Sequence, residues 1–325
     1  MAKKLIGPVV AGLVALSGSA LAQNYPTRPV TMVIPFAAGG PTDVLGRIVG
    51  ENMSKTLGQA VIIENVGGAG GMTGSSRVAK GKTDGSQFVL GTVGTHAQNQ
   101  TLYAKPQYDS VADFDPVILI AEVPLVLVTN KELPVNNLQE FIAYAKANKG
   151  KLNFGSAGTG SATHLGCVLL NSTAGIEAAH VPYRGSGPAM NDIIGGQIQY
   201  LCDVVSTGKP QIDAGTVKAM AFMGKQRSPV LPNLPTADEQ GLKGFEAYTW
   251  NAIFVAKGTP PDIIKRLHGA ALTAMNDPDV KKRLGDLGAQ IVSADRATPE
   301  SLGAFVKSEI EKWAAPIKAS GARVE

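Results

Sequence analysis

The sequence predicts an α/β protein of two domains, each built on a mostly parallel sheet. Three observations point there: strand and helix signals alternate along the chain, short apolar runs such as VTMVIPF read as buried strands, and 325 residues suit two units of roughly 150 each. No long Pro-rich or Ser-rich linker interrupts the pattern, so crossing strands rather than a tether are expected to join the units.

Residues 1–22 are read apart from the fold. Lys3 and Lys4 precede an apolar run that closes on Ala20-Leu21-Ala22, a small-x-small pattern ahead of Gln23, which is the form of a Sec signal peptide with cleavage after Ala22. The mature protein is therefore expected to be exported. Without Lys3 and Lys4 the formal charge of +4 becomes +2, which makes no case for nucleic acid or an anionic membrane as partner.

In the first unit VTMVIPF is a strand, and Val44, Leu45, Ile48, Val49, Met53 and Leu57 fall on one face of the helix that follows, with Asp43 as its expected N-cap and Gly58 as its stop. AVIIEN is the next strand, MTGSSRVAKG a helix, Asp84-Gly85 a turn and QFVLGTV a third strand. PVILIAEVPLVLVTN then reads as two apolar stretches split at Glu122, with Pro124 opening the second. A second series runs through helix NLQEFIAYAKANKG, strand LNFGS, helix ATHLGCVLLNSTAG, strand AAHVPY, helix GPAMNDIIGG and strands IQYLCDVV and VKAMAFMG. The chain ends in three helices, two of them announced by Asp277-Pro278 and Thr298-Pro299, with AQIVSA as a short strand between the second and third. Val123–Thr129 and Thr249–Ala256 are the candidate crossings. The first domain is then discontinuous, residues 23–123 plus 250–325, around a second of residues 124–249.

Two junctions carry the chemistry. In VIPFAAGGPTDVLGR, Gly39 and Gly40 sit between a strand and a helix start, where free N–H groups and the positive helix end seat an anion. FGSAGTGSATHL repeats the arrangement with Gly155, Gly158 and Gly160 and the hydroxyls of Ser156, Thr159, Ser161 and Thr163. Neither loop holds Lys or Arg. Two such seats suggest a ligand held across a cleft by amides and hydroxyls.

Other constellations are weaker. NVGGAGGMTG contains a G-x-G-x-x-x-G pattern, but no acidic residue ends a strand about 20 residues later, as a dinucleotide site requires. Ser156 is not in a G-x-S-x-G elbow, and a pairing with His164 is left open. Asp43 and Asp203 could pair as acid and base, although capping for Asp43 and acceptance of loop or ligand N–H groups for Asp203 are the plainer roles. The four His residues show no ligand spacing, so no metal is expected. Cys167 and Cys202 are equally compatible with one disulfide and with two buried thiols.

Five segments, YPTRPVTMVIPFAAGGPTDVLGR, LGQAVIIENVGGAGGMTGSSRVAKGKTDGSQFVLGT, LNFGSAGTGSATHL, HVPYRGSGPAMNDIIGGQIQ and FMGKQRSPVLPNLPTADEQG, resemble in one register the substrate-binding proteins of tripartite tricarboxylate transporters, also called the Bug family. The resemblance implies a two-domain periplasmic binding protein of type II, the Venus-flytrap kind, that closes on a small carboxylate and passes it to integral-membrane transporter subunits. It implies no cofactor, and a monomer is expected. By motif position the ligand-binding residues would be Phe36, Ala37, Ala38, Gly39, Gly40, Thr42 and Asp43, then Thr95, His96 and Asn99. In the second domain they would be Ser156, Gly158, Thr159, Gly160, Ser161, Thr163, His164 and Asp203. Phe36, His96 and Tyr183 are candidates for the far end of the ligand, while Arg47 and Arg184 read as surface or structural pairs. A ligand-presenting sensor would use the same pocket, and an exported hydrolase would require turnover.

Overall fold

A computed structural model describes residues 25–325; the expected signal peptide, residues 1–22, lies outside the described residues. The elements are β1 (Val30–Ile34), α1 (Pro41–Leu57), β2 (Val61–Asn65), α2 (Met72–Ala79), β3 (Gln87–Thr92), α3 (Asn99–Leu102) and β4 (Phe114–Asn130). There follow α4 (Leu138–Ala147), β5 (Asn153–Ser156), α5 (Ala162–Ala174), β6 (Ala179–Pro182), α6 (Ser186–Ile194), β7 (Tyr200–Val204), α7 (Val205–Asp213) and β8 (Val217–Phe222). The chain closes with β9 (Tyr248–Ala256), α8 (Pro261–Asn276), α9 (Pro278–Asp286), β10 (Gln290–Ile291) and α10 (Pro299–Ala319).

The strands run in the order β2-β1-β3-β9-β4-β7-β5-β6, with β10 and β8 also paired to β4. β1, β2 and β3 are mutually parallel, as are β5, β6 and β7, while β9 runs antiparallel to both β3 and β4. The inner parallel strands β1, β3 and β7 are buried along nearly their whole length, which is why these runs read as continuously apolar. One core surrounds β1, β3, β9 and the first part of β4, including Met32, Phe88, Ile118 and Trp250. Two smaller cores flank the second sheet region, one around Phe141, Tyr200 and Met223 and the other around Val126, Leu201 and Phe222.

β4 corrects the sequence reading: it is one strand of 17 residues, not two. Residues 114–124 pair with β9, residues 125–129 with β7, and residues 126–130 with β8. Pro124 falls where the partners change, a position that tolerates its missing N–H. The chain returns through Ala247, whose carbonyl accepts from the Leu125 amide at 3.0 Å and whose amide donates to the Met223 carbonyl at 2.8 Å, and then enters β9.

Asp43 is also corrected. Pro41 starts α1 at its first turn, so Gly40 is the N-cap and Asp43 lies inside the helix. α1 buries Leu45, Ile48, Val49, Met53 and Leu57 and stops at Gly58, whose φ of 72° is left-handed. Cys167 of α5 and Cys202 of β7 form a disulfide, their Cα atoms 5.4 Å apart, which resolves the open choice between bridge and thiols.

Candidate functional site

The carboxyl ends of the parallel strands of both sheet regions point to one place, and the helices that follow them begin there. A narrow cavity is lined at this point by Phe36, Pro41 and Thr42 from the first strand–helix junction and by Ala157, Ser161, Ala162 and Thr163 from the second. Thr92, Ser186, Val204 and Thr249 complete the wall, and none of these residues is charged.

Four helix N-termini reach the cavity, those of α1, α5, α6 and α7, the last through its N-cap Val204. Neither α1 nor α6 has a side-chain cap, so the amides of their first turns are not consumed by the protein's own side chains. The two ends are close: a β-carbon placed on Gly40 would stand 3.8 Å from the Ser186 amide nitrogen. Positive helix ends brought this near repel one another unless negative charge lies between them. α5 differs, because Ser161 caps it by accepting from the His164 amide at 3.2 Å.

The first loop is held by Asp43, which is buried. Its carboxylate accepts from the Gly39 amide at 2.9 Å, from Asn65 Nδ2 at 2.9 Å and from Arg47 Nε at 3.0 Å. Burial works to raise its pKa, but the hydrogen bonds from Arg47, Gly39 and Asn65 outweigh it and hold the group below its ordinary value. Asp43 thus shapes the seat rather than standing among the residues that line it. Arg47 is the structural pair expected of it.

The second loop is bonded internally in the same manner. Ser156 Oγ accepts from the Gly158 amide at 3.0 Å and lies 2.7 Å from His180 Nε2, while Thr163 Oγ1 accepts from the Ala157 amide at 2.8 Å. The partner of Ser156 is thus His180, not His164. His164 Nδ1 accepts from the Gly160 amide at 3.2 Å, and the His164 and His180 rings lie 4.1 Å apart. Burial lowers the pKa of His164 to about 3, with the neighbouring His180 adding to the effect, and that of His180 to about 4. Both rings are neutral near pH 7.

Of the residues singled out from the sequence, Phe36, Thr42, Ser161 and Thr163 line the cavity. Ala37 donates its amide to the Arg184 carbonyl at 3.0 Å, Ala38 and Gly39 are exposed at the turn, and Gly40 caps α1. Thr159 offers its carbonyl to Tyr103 Oη at 3.0 Å. Thr95, His96 and Asn99 are not among the lining residues. Thr95 and His96 lie in a π-helical turn at Gly94–Gln98, where Thr95 Oγ1 accepts from the Thr92 amide at 2.8 Å and His96 stacks on Phe254 at 3.9 Å. Asn99 opens α3 and packs against Gly160, its amide atoms without a protein partner.

Asp203 is fully buried at the end of β7, beside Val204 of the cavity wall. Its Oδ2 accepts from Thr207 Oγ1 at 2.7 Å, and its Oδ1 has no partner. Burial pushes its pKa up to about 6, against weaker opposing effects from Thr207, the Val204 amide and the nearby Ser186 hydroxyl. Ser186 itself lines the cavity with an unpartnered Oγ. The sequence reading missed Ser186, although RGSGPAM carries the same glycine-and-hydroxyl signal as the other two junctions. Thr92 and Thr249 gave no local signal at all.

A family model described as the tripartite tricarboxylate transporter family receptor matches residues 45–322. The periplasmic binding protein BugD is similar at 39% identity with a TM-score of 0.90, covering 93% of this chain and all of that one. MatC from Rhodopseudomonas palustris, solved with bound malate, is 39% identical with a TM-score of 0.88, covering 90% of this chain and all of its own. R. palustris Rpa4515, solved with adipate, is 34% identical with a TM-score of 0.88, over 92% of this chain and all of its own. With its glycine-rich junctions, its strand order and its cavity all in place, the chain belongs to the tripartite tricarboxylate transporter receptor family of periplasmic binding proteins.

Proposed function

We propose that this protein captures a small carboxylate in the cavity between α1, α5 and α6 and delivers it to integral-membrane subunits of a tripartite transporter. The opposed, uncapped starts of α1 and α6 around a wall without charged side chains carry the reading. A carboxylate there would accept from first-turn amides and from the hydroxyls of Thr42, Ser161, Thr163 and Ser186, satisfying its lone pairs without a cation. Asp203 would accept from a hydroxyl or N–H on the rest of the ligand through its free Oδ1. The malate and adipate of MatC and Rpa4515 favour linear dicarboxylates as the first candidates.

The two sheet regions act as lobes, residues 23–123 plus 250–325 and residues 124–249. They open and close about β4 and the Ala247 return, with a closed form when the ligand is bound. The protein works as a monomer in the periplasm after cleavage following Ala22. It releases its ligand unchanged.

The test is a thermal-shift series on residues 23–325, refolded to strip co-purified ligand, with malate, adipate, tricarboxylates and aromatic acids. Ligand at 100 times its dissociation constant stabilises by about 2.7 kcal/mol, a rise of several degrees for a chain of this size. A rise with one chemical class, and recovery of that acid intact, supports capture. No shift across the series refutes the carboxylate reading.

A further inference from the structure

The run NVGGAGGMTG has no part in the cavity, yet its glycines crowd a narrow segment between β2 and α2. Two of them meet the other sheet region. A β-carbon on Gly67 would stand 2.9 Å from the Arg184 carbonyl oxygen, and one on Gly70 would collide with the Thr159 carbonyl. The same holds for two glycines elsewhere. On Gly94 it would stand 2.7 Å from the Gly160 oxygen and 3.2 Å from the Ala162 nitrogen, and on Gly185 it would stand 2.9 Å from Ala37 Cβ and 3.0 Å from the Ala37 nitrogen.

Direct hydrogen bonds run through the same contact. The Ala37 amide donates to the Arg184 carbonyl at 3.0 Å, and Tyr103 Oη donates to the Thr159 carbonyl at 3.0 Å. The Tyr103 segment is itself braced by the chain's last residues: Val324 donates to the Leu102 carbonyl at 2.9 Å and accepts from the Ala104 amide at 2.8 Å.

We propose that Gly67, Gly70, Gly94 and Gly185, with Tyr103, form a closing seam where the backbones of the two lobes meet directly, so that these residues set ligand affinity without touching ligand. The proposal rests on the two-lobe capture described above. Backbone can approach backbone only where no side chain intervenes, and the seam adjoins the cavity: Ala37 follows Phe36, Gly94 lies two residues past Thr92, and Gly185 precedes Ser186. A side chain in the seam would prop the lobes apart. The ligand would then bind a closed form populated less often, and apparent affinity would fall by that factor.

Gly94 and Gly185 are the positions to test. Gly185 is extended at φ 173°, and neither is in the left-handed region that would strain an alanine. Gly94→Ala and Gly185→Ala are expected to weaken malate or adipate binding, whichever the wild type takes, by about tenfold or more. Their melting midpoints without ligand should stay at the wild-type value. Gly269→Ala, which meets nothing within 4 Å, should change neither. In small-angle scattering the wild type should contract on saturation with the acid and the two seam variants should not. Wild-type affinity and contraction in both variants would overturn the seam. Tyr103→Phe should raise the dissociation rate more than it lowers the association rate.

A ligand-free measurement separates failure of the seam from failure of the carboxylate reading. In ligand-free protein, relaxation dispersion at the Ala37 amide, which donates to the Arg184 carbonyl when the seam is made, is expected to report a minor closed state in wild type that Gly94→Ala diminishes. Dispersion that is the same in both proteins would refute the seam whatever the ligand proves to be. A minor closed state that Gly94→Ala diminishes, in a protein that binds no acid, would leave the seam standing and refute the ligand class.

Discussion

Replacing Asp203 by asparagine tests whether a buried, half-satisfied carboxylate stands beside the cavity. Burial raises its pKa from 3.8 to about 6. A carboxyl group with a raised folded pKa binds its proton more tightly in the folded state. Stability therefore falls as pH rises from about 3.8 to about 6 and stays low above that. At 1.36 kcal/mol per pH unit the ionised group costs about 3 kcal/mol near neutral pH. An asparagine side chain cannot ionise, so the Asp203→Asn variant lacks this loss. Its amide nitrogen needs an acceptor in place of the unpartnered Oδ1, and the Ser186 hydroxyl is at hand; any remaining penalty is the same at every pH. The assay is urea unfolding of both proteins at pH 4 and pH 7. Part of that cost is already present at pH 4, so the stability of the variant relative to wild type should rise by about 2 kcal/mol between them. All other carboxylates cancel in the difference. A difference that does not change with pH would refute the burial account of Asp203.

Ser161→Ala removes the cap of α5 and a cavity hydroxyl together, so it should lower ligand-free stability by about 1 kcal/mol and ligand affinity by a further 1–3 kcal/mol, roughly, as read by melting and by calorimetric titration. Reducing the Cys167–Cys202 bridge reopens a loop with a sequence separation of 35, and the chain-entropy relation puts the loss at about 4 kcal/mol, measurable as a shift in the urea midpoint with and without reductant. Glu309, buried in α10, accepts from Tyr248 Oη at 2.8 Å, Trp250 Nε1 at 3.0 Å and Trp313 Nε1 at 3.1 Å; Glu309→Ala strands all three donors and should cost about 3 kcal/mol or more, with altered tryptophan fluorescence in the folded state. The lowered pKa of Asp43 contributes stability that is full above about pH 3.8 and lost as pH falls through the folded value, so Asp43→Asn should show a shallower acid unfolding limb than wild type.

Much of this architecture is written locally. The buried face of α1, the Pro-led starts of α8, α9 and α10 and the order of strands and helices follow from periodicity and capping within a dozen residues. β4 was harder to read, because Glu122 and Pro124 look like a break, and only the change of partner strands around Pro124 makes the strand continuous. Asp43 as N-cap failed for a related reason: Pro41 claims the first turn, and the carboxylate turns back to Gly39 and across to Asn65. The glycine-and-hydroxyl junctions around Thr42 and Ser161 were legible because the chemistry of an anion seat lies in adjacent residues. Thr92, Thr249 and the Ser156–His180 pair were not, since they meet only when distant strands are placed side by side.

The position of β9 has a consequence for the order in which the chain acquires structure. β9 sits in the middle of the first sheet region, pairing Val89 with Phe254 and Phe114 with Ala256, so that sheet cannot be completed until most of the polypeptide is available. The strands of the second region lie between Leu125 and Phe222 and need no such wait. Long-range pairing of this kind is slow to form. A ribosome or an export channel feeding this chain from its amino end thus presents a first half that stays unpaired at its centre until nearly the whole molecule has passed, which favours threading an unfolded chain across a membrane before it can lock.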